Sequence, residues 1–126
     1  MIVSSAGKRK ILVVEDNPNM GSLLSDMLEV FAVQSVRAAD GTEALAVLEQ
    51  EHIGLVITDL RMPNMSGTEL LAAVKETNPD MPVVLISGFS MEAAGEREAL
   101  KQADGFLSKP FRMNDIKEII KLHYRP

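Results

Sequence analysis

Leu55-Val56-Ile57-Thr58-Asp59-Leu60-Arg61-Met62-Pro63 is the stretch on which the fold turns. It opens as a short, strongly apolar run, which suits a strand buried on both faces of a parallel sheet. It then ends on a carboxylate. Similar short runs occur at Ile11 to Val14, Val83 to Ser87 and Phe106 to Ser108, and a weaker one, Gln34 to Ala38, alternates apolar and polar residues.

Helical patterns separate these runs. Met20, Leu23, Leu24, Met27, Leu28 and Phe31 recur at helical spacing, with Asn17 and Pro18 as N-cap and first turn. Asp40 caps a second helix carrying Ala44, Leu45 and Leu48. Ser66 caps a third carrying Leu70, Leu71 and Val74, and Glu69 completes a capping box. Pro79 and Pro82 stop that helix. The stretch from Met91 to Ala103 is the weakest helix, because Gly95 lies inside it and large apolar residues are few. A last helix runs from about Met113 to His123, with Ile116, Ile119 and Ile120 inward. The order βαβαβαβαβα predicts an α/β fold, a five-stranded parallel sheet with helices on both faces.

Composition agrees with one soluble domain. The chain has 126 residues, 46% hydrophobic and 25% charged, with a formal net charge of −5. That charge argues against direct nucleic-acid binding. The chain has no cysteine, so disulfides and thiol catalysis are excluded, and no apolar run is long enough to span a membrane. A cytoplasmic location is expected. Residues 1–8 are predicted to be a tail and residues 9–124 the domain. His52, His123 and the basic end (Lys117, Lys121, Arg125) are expected to be surface residues, and the methionines at helical spacing core residues.

In parallel α/β sheets, ligands bind beyond the C-terminal ends of the strands. Glu15 and Asp16 follow the first strand, Asp59 ends the third, Ser87 ends the fourth and Lys109 follows the fifth. Each alone has an ordinary structural explanation as a cap, a turn residue or a solvated charge. Together on one sheet edge they do not. A pair of carboxylates about 4 Å apart repels by on the order of 4 kcal/mol at an effective dielectric of roughly 20, so the cluster needs a cation or a proton. All-oxygen ligands suit Mg²⁺, and the absence of Cys or His disfavours softer metals. With a cation in place, one carboxylate can attack phosphorus, while Lys109 neutralises the phosphoryl oxygens and Ser87 donates a hydrogen bond to one of them.

The chain closely resembles the receiver domains of two-component response regulators. The resemblance rests on Ile11 to Asp16, Leu55 to Pro63, Ser66-Gly67, Leu85 to Gly88 and Phe106 to Phe111. It implies the strand order 2-1-3-4-5 of a flavodoxin-like, three-layer α/β/α fold. It further implies that Asp59 accepts phosphate from the phosphohistidine of a histidine kinase or histidine phosphotransfer domain. Asp16, Asp59 and the backbone carbonyl of Arg61 would hold Mg²⁺ or Mn²⁺ directly, and Glu15 through a water. Ser87 and Lys109 would bind the phosphoryl group, and a cis peptide is expected at Lys109-Pro110. Phe106 would be the aromatic switch, filling space that Ser87 vacates, and the face formed by the fourth helix, fifth strand and fifth helix would change conformation. Arg61 and Phe89, both bulky, would tune the phosphoryl lifetime towards slow loss. The expected assembly is a monomer or a weak, phosphorylation-dependent homodimer, with any output domain outside this chain.

Three alternatives fit less well, the first being a receiver that has lost phosphorylation, which the intact set of Glu15, Asp16, Asp59, Ser87 and Lys109 disfavours. A haloacid-dehalogenase-type phosphatase carries a second acid two residues after its nucleophile, where Arg61 stands here. A flavodoxin-type binding module needs a phosphate-cradling loop after the first strand, where Asp16-Asn17-Pro18 stands instead.

Overall fold

The computed structural model describes residues 8–87 and 101–126, and of Ser87 only the backbone. Five strands form one sheet: β1 (Lys10–Val14), β2 (Ser35–Ala38), β3 (Ile53–Asp59), β4 (Val83–Ser87) and β5 (Gly105–Ser108). Their order is β2-β1-β3-β4-β5 and every neighbouring pair is parallel. The helices are α1 (Pro18–Val30), α2 (Gly41–Gln50), α3 (Gly67–Thr77) and a C-terminal helix (Met113–His123). The helix predicted from Met91 to Ala103 falls mainly on residues 88–100, which lie outside the described residues, as do Phe89 and the tail up to residue 7.

Side-chain alternation divides the core into two layers. Ile11, Val13, Leu55, Ile57, Val84 and Ile86 pack against α1 and the C-terminal helix through Leu24, Leu28, Ile116 and Ile119. Leu12, Val14, Val56 and Leu85 pack against α2 and α3 through Ala44, Leu70, Leu71 and Val74. Burying one Leu or Ile contributes roughly 1.5–3 kcal/mol, whereas a helix cap contributes about 1 kcal/mol. The layers therefore hold the sheet, and the caps set where each helix begins.

Those starts fall as predicted. Asn17 Oδ1 accepts from the N–H groups of Asn19 and Met20 at 2.9 and 3.2 Å. Asp40 accepts from Glu43 N–H at 2.8 Å. Ser66 and Glu69 close the predicted capping box.

Several side chains depart from expectation. Leu23 is exposed although it follows the α1 spacing, because the stripe facing the sheet is Leu24, Met27 and Leu28. Of the methionines, Met27 is buried, but Met113 is exposed at the start of its helix. His52 is exposed, whereas His123 is half-buried over Gly105, where a Cβ would lie 2.6 Å from its Nε2. Among the described residues, no helix is long and apolar enough to cross a membrane.

Candidate functional site

The site forms where β1, β3 and β5 end on one edge of the sheet. Glu15 directly follows β1, and its side chain is only 2% exposed. Oε2 accepts from Asn17 N–H at 3.1 Å, so the residue that caps α1 also orients this carboxylate. Oε1 is buried and has no hydrogen-bond partner. Burial pushes the Glu15 carboxyl up to about 7. The Asn17 N–H and the Lys109 ammonium oppose that rise, and the Asp59 and Asp16 carboxylates reinforce it.

Asp59 closes β3. Its Oδ1 accepts from the N–H of Leu60 at 2.7 Å. Its backbone carbonyl accepts from the buried Thr58 hydroxyl at 2.9 Å. Gly67, the first residue of α3, presses on that carbonyl: an added Cβ would lie 2.1 Å from Asp59 O. The Gly67 N–H donates to Leu60 O at 2.8 Å. Both ends of the segment from Asp59 to Gly67 are thus fixed by backbone.

Lys109 follows β5 and precedes a cis bond to Pro110. Its Nζ lies 3.5 Å from Asp59 Oδ2 and 3.8 Å from Glu15 Oε1. At 3.8 Å the ammonium attracts Glu15 without hydrogen-bonding it, which leaves Oε1 unsatisfied.

Glu15, Asp16 and Asp59 each bring a carboxylate oxygen to a point where all three lie within 4.8 Å of one another. With all three ionised, three carboxylates against one ammonium leave two negative charges. A divalent cation would balance that charge, and a hard, oxygen-preferring ion fits the donor set.

Of the five residues that the sequence places on this edge, Glu15, Asp16, Asp59 and Lys109 come together, and the side chain of the fifth, Ser87, is outside the described residues. Arg61 is exposed, two residues beyond Asp59. Phe106 is 44% exposed on β5. The side chains of Ser87 and Phe89 lie outside the described residues. Asn17, Thr58 and Gly67 were not anticipated as parts of the site. Only the position of Gly67, immediately after a capping serine, could have signalled a close approach.

The family model for the response regulator receiver domain matches residues 11–121. The chain is 34% identical to the sensor histidine kinase RcsC of Escherichia coli K12 over 121 residues, which cover 96% of the chain and 13% of that kinase. It thus spans only about an eighth of that relative's length. It is 28% identical to the polar-differentiation response regulator DivK of Brucella ovis, covering 90% of the chain and 94% of that protein. Among solved structures, a response regulator receiver domain protein from Clostridium thermocellum superposes with a TM-score of 0.81 at 29% identity, over 90% of this chain and 91% of that one.

Proposed function

The chain belongs to the response regulator receiver domains of two-component systems, and from that premise we propose that it is a switch whose phosphoacceptor is Asp59. The donor is the phosphohistidine of a sensor histidine kinase or a histidine phosphotransfer domain. The observation that carries this reading is the Lys109 ammonium held 3.5 Å from Asp59 Oδ2, beside three clustered carboxylates.

Leu60 N–H holds Oδ1, and Oδ2, the oxygen beside Lys109, is assigned as the attacking one. It forms the new O–P bond as the P–N bond of the phosphohistidine breaks, and the electron pair leaves with the imidazole nitrogen. Lys109 lies where it can draw negative charge on the phosphoryl oxygens away from the carboxylates. Asp16, Asp59 and the Arg61 backbone carbonyl would hold Mg²⁺ or Mn²⁺, with Glu15 behind them. When bound, the cation supplies charge neutralisation for nucleophile and phosphoryl group together. Hydrolysis reverses the state: water attacks phosphorus and Asp59 leaves as the carboxylate. The domain promotes both reactions on itself and turns over no separate substrate.

Ser87 is assigned to the phosphoryl group, and Phe106 to the readout. The partial exposure of Phe106 supports that role, since a half-exposed ring at the edge of β5 has buried area still to gain. Arg61 and Phe89 are assigned to shielding the phosphoryl group from water. We assign the domain to residues 9–124.

The test is incubation with a small phosphodonor and Mg²⁺, followed by intact mass. One phosphoryl adduct is expected, and Asp59→Asn should abolish it. An adduct that survives the substitution would sink the assignment.

A further inference from the structure

Away from the acidic site, α2 and α3 lie side by side and leave a groove of about 480 Å³ between them. Its floor is apolar: Leu45 and Leu48 from α2, Ala73 from α3 and Met81 from the loop beyond, all half-buried. Glu49 and Glu76, both exposed, stand on its rim, and among the described residues no Lys or Arg lines it.

The charge of this face follows from the sequence of the two helices. α2 lends the groove Glu49 and carries no cation, and α3 lends it Glu76 and carries a single cation, Lys75. Lys75 does not offset these charges at the surface. Its Nζ is engaged by Asp104 Oδ2 and Met81 O, each at 2.7 Å, and its side chain is 17% exposed. The ammonium therefore fastens α3 to the starts of β4 and β5, and an apolar trough with an acidic margin remains outside.

We propose that this groove docks a basic amphipathic helix of a partner protein. Paired helices present a trough that accepts the ridge of a third helix, with anchors at i, i+3/i+4 and i+7. Lys or Arg flanking those anchors meets Glu49 and Glu76. The same charge disfavours the other occupants. A second copy presenting this face would set carboxylate against carboxylate, and anionic lipid or nucleic acid would be repelled.

The test uses the full chain, nitrogen-15 labelled, titrated with three synthetic peptides followed by amide shifts. The first is an amphipathic Leu/Lys helix, the second a scramble of the same composition without an apolar face, and the third its Leu/Glu counterpart. The first should shift residues around Leu48, Ala73 and Met81, and the other two should leave them unmoved. The double variant Glu49→Lys, Glu76→Lys should weaken binding by about tenfold or more. Asp26→Lys, Glu29→Lys makes the same charge change on α1 and should leave affinity unchanged. Shifts spread over the whole acidic surface would overturn the proposal, as would binding of the scramble or equal loss in both variants. Sedimentation showing a dimer broken by the first double variant would instead assign the groove to a second copy and also overturn it.

Discussion

Asn64 donates its side-chain amide to the Asp40 carboxylate at 2.9 Å, which fastens the loop leaving β3 to the N-terminus of α2. Asn64 has a φ of 68°, a left-handed conformation that Asn tolerates better than most residues. Asp40 is held below the usual carboxylate range by the Glu43 N–H first and the Asn64 amide second. Asn64→Gly should keep the backbone and lose the amide, so the Asp40 pKa rises towards its ordinary value in a carboxyl NMR titration. Asn64→Ala should also meet the left-handed penalty and melt below the Gly variant, by about 1 kcal/mol. Equal melting of the two would contradict this account of the loop.

Gly67 and Gly41 begin adjacent helices but should respond differently to alanine. At Gly67 the obstacle is backbone, Asp59 O at 2.1 Å and Leu60 Cα at 2.8 Å. At Gly41 it is the Met65 side chain, at 2.7 Å and beyond. Backbone of the central strand cannot yield, so Gly67→Ala should cost about 3 kcal/mol or more, at the upper end for overpacking. Gly41→Ala should cost less than half of that, because Met has three rotatable bonds. Urea denaturation of both variants decides the order.

Burial raises the Glu15 carboxyl from 4.5 to about 7, so the folded protein holds this proton more tightly than the unfolded chain. The resulting stability is complete below the unfolded pKa and is lost as pH rises through about 7. In chelator, the urea midpoint should fall between pH 5 and pH 7.5, by on the order of 3 kcal/mol at most. Glu15→Gln should flatten that fall. Mg²⁺ should restore wild-type stability at the alkaline end, where the carboxylate is free to take a cation. A wild-type midpoint that stays level with pH would count against the burial argument.

Lys109 is predicted to have opposite effects on two measurements. Its ammonium competes with a bound cation for Asp59 and Glu15, from 3.5 and 3.8 Å. Lys109→Met should therefore bind Mg²⁺ more tightly by calorimetry. The same variant should accept a phosphoryl group about a hundredfold more slowly, having lost a donor aimed at developing charge. A variant weakened in both respects would point to collapse of the site.

The strands and helices were largely legible because their signals are local, whereas the strand order rested on the family resemblance. Each buried strand is a short aliphatic run, and the caps Asn17, Asp40 and Ser66 lie within four residues of the N–H groups they satisfy. The clustering at the candidate site was legible for a related reason: parallel strands deliver Glu15, Asp59 and Lys109 to one edge. What stayed hidden depends on contacts between residues distant in the chain. Lys75 reaches Asp104 across 29 residues, and the Tyr124 hydroxyl donates to Arg9 O across 115. Neither spacing has a periodic signature. The sequence likewise gives no sign that Glu15 is buried while Asp16, its neighbour, is exposed. In the fold, Asn17 N–H holds the inward carboxylate of Glu15.

The unpartnered oxygen of Glu15 sets selection for stability against selection for use. A variant library sorted for heat resistance in chelator should replace Glu15 early, because Gln or Met relieves a buried charge that the fold alone does not satisfy. The same library sorted for phosphoryl acceptance in Mg²⁺ should keep it. The least comfortable atom of the core would then mark, by its survival in one experiment and its loss in the other, which residues belong to the signal and which to the scaffold.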